Sequence, residues 1–470
     1  MEQLNITPTT LLELGFSSSP AIPLIIGTVG SFYQPGEQAT AMIHLKALLA
    51  APGEFLNDPV WKKCAEALMP KADEIISLKS ASPYNVYGSM QIEAGALRQM
   101  DFAVQLPIAV AGALMPDAHQ GYGLPIGGVL ATRNAVIPYG VGVDIGCRMC
   151  LSIYDIPGNH LETNLAQYKR ELIANTKFGA GAGYHGQYKA DHAIMEDPAF
   201  KATPLTRNLK DKAYSQLGSS GGGNHFVEFG MIEMMAADNE FGLPPGNYLA
   251  LLSHSGSRGF GAVTANHYSK LARSICKLPK EAANLAYFGL DSSEGQEYWM
   301  AMNLAGNYAS ACHEVIHQKL TVAIGGQLLA RVENHHNFAW KEKVNGEELI
   351  VHRKGATPAG KCVLGIIPGS MTAPGFLVRG KGNEASLNSA SHGAGRRMSR
   401  TMANNSITND MLREQLKTHG VTLIGGGTDE APTAYKDIHA VMLAQSELVD
   451  VMAKFSPKLV RMAEDGSRED

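Results

Sequence analysis

A chain of 470 residues, 45% of them hydrophobic, is long enough to bury a sizeable core and, by length, to fold as two or three domains. No run of about eighteen apolar residues occurs, and the start MEQLNITPTT lacks the basic and apolar stretches of a secretory signal, so no membrane span is expected and a cytoplasmic location is. Six irregularly spaced cysteines argue against a disulfide framework, and a net charge of −4 carries no global sign of a nucleic-acid partner.

The first 85 residues hold apolar stretches such as AIPLIIGTVG and a helical-looking DPVWKKCAEALMP, but no constellation of chemical groups. They are expected to form an N-terminal extension to one large domain over 86–470. From about Met90 the texture changes to short β-like runs bounded by glycine: LPIGGVLAT, VIPYGVGVDIG, YLALLSHSGSRG, KCVLGIIPGS and GFLVRGKGN. Helical periodicity dominates 282–335 and returns near the end in IHAVMLAQSELVDVMAKF. Strands and helices are interspersed without a βαβ rhythm, which predicts a mixed α+β architecture.

The first chemical cluster is VGVDIGCRMC, where the Asp144 carboxylate and Cys147 thiolate are close enough to share a metal, and a thiolate can bridge two. Cys147 and Cys150 also read as a CxxC pair, a redox site or half of a zinc knuckle, but no second CxxC completes one. In GSSGGGNHFVEFG, Asn224, His225 and Glu228 follow three glycines; the imidazole suits a transition metal, the amide and carboxylate a nucleotide. LLSHSGSRGFG puts His254 at the end of a buried strand, where a satisfied core histidine is the plainer reading. Residues His313, Glu314 and His317 spell a formal HExxH on a helix, the signature of a zinc metallohydrolase, for which Glu333 is the only nearby downstream acid. ENHHNF adds His335, His336 and Asn337.

Residues 355–361 have P-loop spacing, yet Cys362 stands where Mg²⁺ needs a hydroxyl and Pro358 removes an N–H from the cradle, so that reading is rejected. Between Val351 and Arg400, eight basic residues stand against the single acid Glu384, a local charge of +7, which favours a phosphate-rich partner over a merely solvated face. Within SASHGAGRRMSR, Arg396 follows His392 at i+4, so the two would share a face of a helix starting there. Such a helix start with arginines nearby is an anion site. Histidine can itself attack phosphorus.

In order along the chain, MPDAHQGYG, VGVDIGC, GGGNHFVE, HSGSRGFG, HHN, RKGATPAG, IIPGSM, GNEASLNSASHGAGRRMSR and DEAPTAYKDIHAVM resemble the RtcB family of RNA ligases, from about Gln91 to Val451. The resemblance implies an RtcB-type fold with a catalytic domain over 86–470, joining an RNA 3′-phosphate or 2′,3′-cyclic phosphate end to a 5′-hydroxyl with GTP and Mn²⁺, in RNA repair or tRNA splicing. It implies Asp144, Cys147 and His225 as ligands of one metal, and Cys147, His254 and His336 of a second. Nucleotide contacts are implied for Asn224, His225, Phe226, Val227, Glu228, His336, Asn337, Pro368, Gly369, Ser370, Met371, His392, Gly393, Ala394 and Gly395. His392 is implied as the nucleophile that carries GMP, and archease as an activating partner whose need is open.

Three features depart from the family pattern. Gly375 replaces a serine that contacts the nucleotide, Arg148 replaces the glycine after the bridging cysteine, and the tail KLVRMAEDGSRED lacks the terminal Lys-Gly pair that contacts guanine. Weaker discrimination against ATP is therefore expected. The other readings are the zinc metallohydrolase on His313, Glu314 and His317, and a catalytically silent RNA-binding relative.

Overall fold

The computed structural model describes residues 6–16, 21–34, 36–68, 75–235 and 240–464, in two compact units, Met1–Ile75 and Ile76–Asp470. In the first unit, helices at Pro8–Glu13, Ala21–Phe32, Gln38–Ala50 and Lys62–Leu68 close over Leu11, Ile25, Leu45, Leu48 and Cys64. Thr7 caps the first helix through the Thr10 N–H, and Pro8 fits the first turn, where its missing N–H costs nothing.

Among the described residues, the second unit is built on two large sheets, with two further two-stranded ones. The larger is antiparallel in the order Leu364–Ile367, Gly375–Gly380, Val449–Met462, Phe226–Met234, Gly246–Ser255, Arg148–Pro157 and Leu328–His335, with Thr422–Ile424 added in parallel beside Val449–Met462. The smaller runs Tyr84–Val86, Ala109–His119, Ile126–Thr132, Glu347–Lys354 and Asn337–Val344. The 32-residue helix Ser293–Ile324 starts on the Ser292 cap and stops at Gly325, whose φ of 67° suits the left-handed helix end.

That helix covers one face of the larger sheet, which explains an unbroken buried run where a surface strand would alternate. Leu249 and Leu251 of Gly246–Ser255 pack with Ile316 and Leu320 of the helix, while Ala250 and Leu252 pack on the other face with Leu377 and Phe455. His254 shares the second face. The two sheets meet where the chain leaves Leu328–His335 and enters Asn337–Val344, so His336 lies at the crossing.

The α+β architecture with one large sheet-and-helix unit matches the sequence reading, with local corrections. The helical stretch read over 282–335 ends at Ile324, and Leu328–His335 is a strand. The stretch near the C-terminus is helical only over Ile438–Leu443, after which Val449–Met462 is an interior strand. There Phe455, Pro457 and Leu459 are buried at period two, and a register shift between Pro457 and Leu459 absorbs the proline. VIPYGVGVDIG is mostly a short helix, Pro138–Val141, and a turn. No helix begins at His392: Ser389–Ser391 is a strand on Ala356–Pro358, and the next helix starts at Arg400. Between them Gly395, at φ +72°, passes so close to the Asp117 carbonyl that a Cβ would collide. Among the described residues no helix is long and apolar enough to cross a membrane.

Candidate metal and nucleotide site

Asp144 and Cys147 sit in a turn laced to the crossing between the sheets. The Gly146 N–H donates to the Asn337 carbonyl at 2.8 Å, the His336 N–H donates to the Cys147 carbonyl at 3.0 Å, and Asn337 Nδ2 donates to the Asp144 carbonyl at 3.2 Å. Arg148 secures the turn from behind, pairing with Glu333 and donating to the carbonyls of Gly306 at 2.6 Å and Gly146 at 3.1 Å. The arginine that departs from the family pattern is thus a buried brace between this turn and the long helix. Burial alone would raise the Glu333 carboxyl, but Arg148 holds it down at about 2.

Four strand ends then bring the donors together. Cys147 Sγ lies 3.1 Å from His254 Nε2 and 3.5 Å from His225 Nε2, and His225 Nε2 lies 2.9 Å from Asp144 Oδ2. His254 Nε2 is 3.3 Å from His336 Nε2. The three histidines and Cys147 are buried. His254 Nδ1 donates to the Asn224 carbonyl at 3.1 Å, so its Nε2 turns a lone pair toward the thiol. Burial, followed by the neighbouring imidazoles, pushes His254 and His336 far below the ordinary histidine range, so both stay neutral. Among the described residues, none is a hydrogen-bond partner of the buried His336 Nδ1. Neutral imidazoles crowded on a thiol and a carboxylate, nitrogen facing nitrogen, fit a transition-metal site.

His392 stands beside this cluster, its ring centroid 4.9 Å from that of His336. Asp117, wholly buried, accepts from His392 Nδ1 at 2.6 Å and from the His392 main-chain N–H at 3.1 Å. Nε2 is left facing the cleft. Burial alone would raise the Asp117 carboxyl, but the bonded His392 and nearby Lys436 hold it below the ordinary range. The same cleft is lined by Asn224, Phe226, Glu228, His336, Asn337, Pro368 to Met371 and Gly393 to Gly395. Gly375, Pro457, Val460, Met462, Arg396, Arg400, Glu430 and Tyr435 line it as well. Burial raises Glu228 well above the usual carboxylate range.

The family model described as tRNA-splicing ligase RtcB matches residues 99–463. The chain belongs to the RtcB family. RNA-splicing ligase RtcB of Escherichia coli K12 is 33% identical over 410 residues, covering 81% of this chain and 97% of that protein. The tRNA-splicing ligases RtcB of Nanoarchaeum equitans and Archaeoglobus fulgidus are 30% and 31% identical, each over 74% of this chain and over 87% and 86% of those proteins.

Set against that membership, most of the residues singled out in the sequence converge on one cleft, and several do not. Val227 alternates away from Phe226 and Glu228, and its side chain is buried against Leu172 and Ile316 instead of lining the cleft. Arg396 reaches the cleft wall through a turn and binds Glu430 and the Asp429 carbonyl. The basic segment is largely neutralised within the fold: Arg353 pairs with Glu342, Arg379 with Glu240, Lys381 with Asp450 and Arg400 with Asp429. Much of its +7 is thus paired within the fold, while Arg396 and Arg400 line the cleft. Lys354 is buried on the Tyr122 and Tyr139 carbonyls, and burial lowers it to about 7.

Residues 355–361 form a short strand and turn with Cys362 exposed, away from any helix start. Cys150 is not a partner of Cys147 but groups with His313 and His317 in a separate buried cluster. The HExxH histidines point into the core, whereas Glu314 faces outward and bonds His192 at 3.0 Å. A metallohydrolase needs that glutamate beside the metal.

The sequence reading uses MPDAHQGYG and DEAPTAY as motifs and names none of Asp117, His119, Glu430 and Tyr435 as an individual site residue. The signal was available: an acid two residues before a histidine within a glycine-bounded motif. His119 donates from Nδ1 to the Asp117 carbonyl at 3.1 Å, lines the cleft and is pulled to about 4 by burial. The tail lacking a Lys-Gly pair lies, over 465–470, outside the described residues.

Proposed function

We propose that this ligase seals RNA breaks in the cytoplasm, joining a 3′-phosphate or 2′,3′-cyclic phosphate end to a 5′-hydroxyl with GTP and Mn²⁺, through GMP carried on His392. The observation that carries the reading is the 2.6 Å contact between His392 Nδ1 and buried Asp117, beside the cluster of Asp144, Cys147, His225, His254 and His336.

Asp117 takes the Nδ1 proton as hydrogen-bond acceptor, which fixes the tautomer and leaves the Nε2 lone pair as nucleophile. Nε2 attacks the α-phosphorus of GTP: an N–P bond forms, the bond to the leaving oxygen breaks, and pyrophosphate departs. The ring becomes cationic and the Asp117 carboxylate stabilises it, as an orienting acid does in a catalytic triad. A 2′,3′-cyclic end is first opened by water, which breaks the P–O2′ bond and leaves a 3′-phosphate. An oxygen of the RNA 3′-phosphate then attacks the phosphorus of the GMP on His392, the N–P bond breaks, and His392 returns to its neutral form. Attack of the 5′-hydroxyl on the activated 3′-phosphate forms the new phosphodiester and expels GMP.

Asp144, Cys147 and His225, and Cys147, His254 and His336, would hold Mn²⁺, which would supply charge neutralisation for the phosphates. Cysteine and histidine donors suit zinc equally, and the choice of manganese rests on the family resemblance. In the same cleft, a buried Glu228 carboxyl matches the two adjacent N–H donors of a guanine edge. Those donors would stabilise its charged form against burial.

The test is incubation with α-labelled GTP and Mn²⁺ followed by denaturing electrophoresis. Label should stay on the wild-type chain, be acid-labile and base-stable, and be absent from His392→Ala. RNA retention without labelling would make the chain a silent RNA-binding relative instead.

A further inference from the structure

On the side of the Gly246–Ser255 strand facing away from the cleft, Ser253 and Ser255 meet the long helix. Ser253 Oγ lies 2.6 Å from His313 Nδ1 and 2.7 Å from His317 Nε2. Ser152 Oγ lies 2.8 Å from His317 Nδ1, and His313 Nε2 lies 3.1 Å from the Ser255 carbonyl. All five residues are buried. Burial pulls His313 to about 4 and His317 far below its ordinary range, so both rings are neutral.

Only one assignment of protons satisfies every group. A carbonyl can only accept, so His313 carries its proton on Nε2 and presents Nδ1 as acceptor. Ser253 must donate to that Nδ1, and its oxygen accepts from His317 Nε2. His317 Nδ1 in turn accepts from Ser152. The chain of donation ends on Ser255, next to His254, and the following Gly256–Ser257 turn touches the metal cluster. The Ser257 main-chain N–H donates to Asp144 Oδ1 at 3.2 Å, and a Cβ on Gly256 would collide with the Asp144 carboxylate.

We propose that the chain Ser152, His317, Ser253 and His313 is a positioning device for the metal cluster, holding the Ser255 carbonyl and with it His254 and the turn that grips Asp144. The proposal rests on the metal reading above. The Cys150, His313 and His317 donor atoms also lie within 4.8 Å of one another, the spacing of a metal site. Against an ion there, each imidazole nitrogen already has a partner, and Cys150 Sγ accepts from Arg331 Nε at 3.2 Å, which places a fixed cation beside the thiol.

The test is Co²⁺ and Mn²⁺ binding to the full, nucleotide-free chain by equilibrium dialysis, with the Co²⁺–thiolate absorption band as a second readout. Ser253→Ala and His313→Ala should weaken Co²⁺ binding by about 10–100-fold and shift the band while keeping the number of ions bound. His313→Gln, which retains a donor near the Nε2 position, should recover most of the affinity, and Cys150→Ala should bind as wild type. Should His313→Ala fail to fold, Ser253→Ala and His313→Gln carry the comparison. Unaltered affinity and band in Ser253→Ala would overturn the proposal. So would the loss of one bound ion from both Cys150→Ala and His313→Gln, which would assign a metal to this cluster. Cys147→Ala separates the two readings: wild-type binding in that variant overturns the metal reading itself, whatever the serine and histidine variants do.

Discussion

Asp117 Oδ2 accepts two hydrogen bonds from one residue, His392, through Nδ1 at 2.6 Å and through the main-chain N–H at 3.1 Å. One carboxylate oxygen therefore sets both the backbone and the ring of the proposed nucleophile. Asp117→Asn keeps the shape, loses the charge that stabilises a cationic ring, and permits the wrong tautomer. It should slow GMP labelling by about 10²–10⁴-fold, the range seen when an orienting acid is made neutral. Single-turnover labelling rates at saturating GTP check this, and a rate within threefold of wild type, on the order of 0.6 kcal/mol, would remove Asp117 from the mechanism.

Cys147 and Cys150 are three residues apart and belong to different clusters. Cys147→Ala should lower metal content and block GMP transfer, because alanine offers no donor in place of a thiolate shared between two histidines. In Cys150→Ala both metals and most activity should persist, since burial pushes its thiol up to about 12 and leaves it un-ionised. Equal metal loss from the two purified variants would favour a CxxC zinc site.

Gly375 opens the Gly375–Gly380 strand and lines the cleft, and a Cβ there meets the Pro368 Cα at 3.4 Å, an ordinary contact. Gly375→Ser therefore fits, and it restores a hydroxyl toward the nucleotide. One added hydrogen bond of about 1–1.5 kcal/mol should lower the KM for GTP by roughly 5–10-fold and sharpen discrimination against ATP. Competition labelling with GTP and ATP measures both, and an unchanged preference would show that the base is read elsewhere. Glu228→Gln should act in the opposite direction.

Acid should destabilise the metal-stripped protein early. Burial lowers His119, His313 and His352 to about 4, whereas an unfolded histidine titrates near about 6.5. Between those values the unfolded chain binds protons that the folded chain refuses, so stability falls as pH drops from about 6.5 toward 4, by up to about 1.4 kcal/mol per pH unit for each group. Asp117 and Asp144 are held below the ordinary carboxylate range and add their loss only at lower pH. Thermal unfolding scans from pH 7.5 to 4.5 should show a falling midpoint. A midpoint constant to pH 4.5 would mean these rings are already charged in the fold.

The identity and order of the donor atoms could be read in the sequence, because a thiol, imidazole or carboxylate is a property of the residue itself. VGVDIGC, GGGNHFVE and SASHGAG therefore pointed to Asp144, Cys147, His225 and His392 before any fold was known, and interspersed short periodic runs were enough for the α+β class. Partner choice across the chain is not a local property. Asp117 backs His392 from 275 residues away, and Arg353, Arg379 and Lys381 spend their charge on acids brought to them by neighbouring strands or turns. Periodicity could tell that Val227 and Glu228 face opposite ways, but only the packing of the long helix decided which of them entered the cleft. The same packing turned the HExxH histidines inward and Glu314 out, and paired Val449–Met462 between two strands where its apolar spacing alone also read as a helix. In each case the free energy that decided the outcome came from burial against a distant surface, which no window along the chain contains.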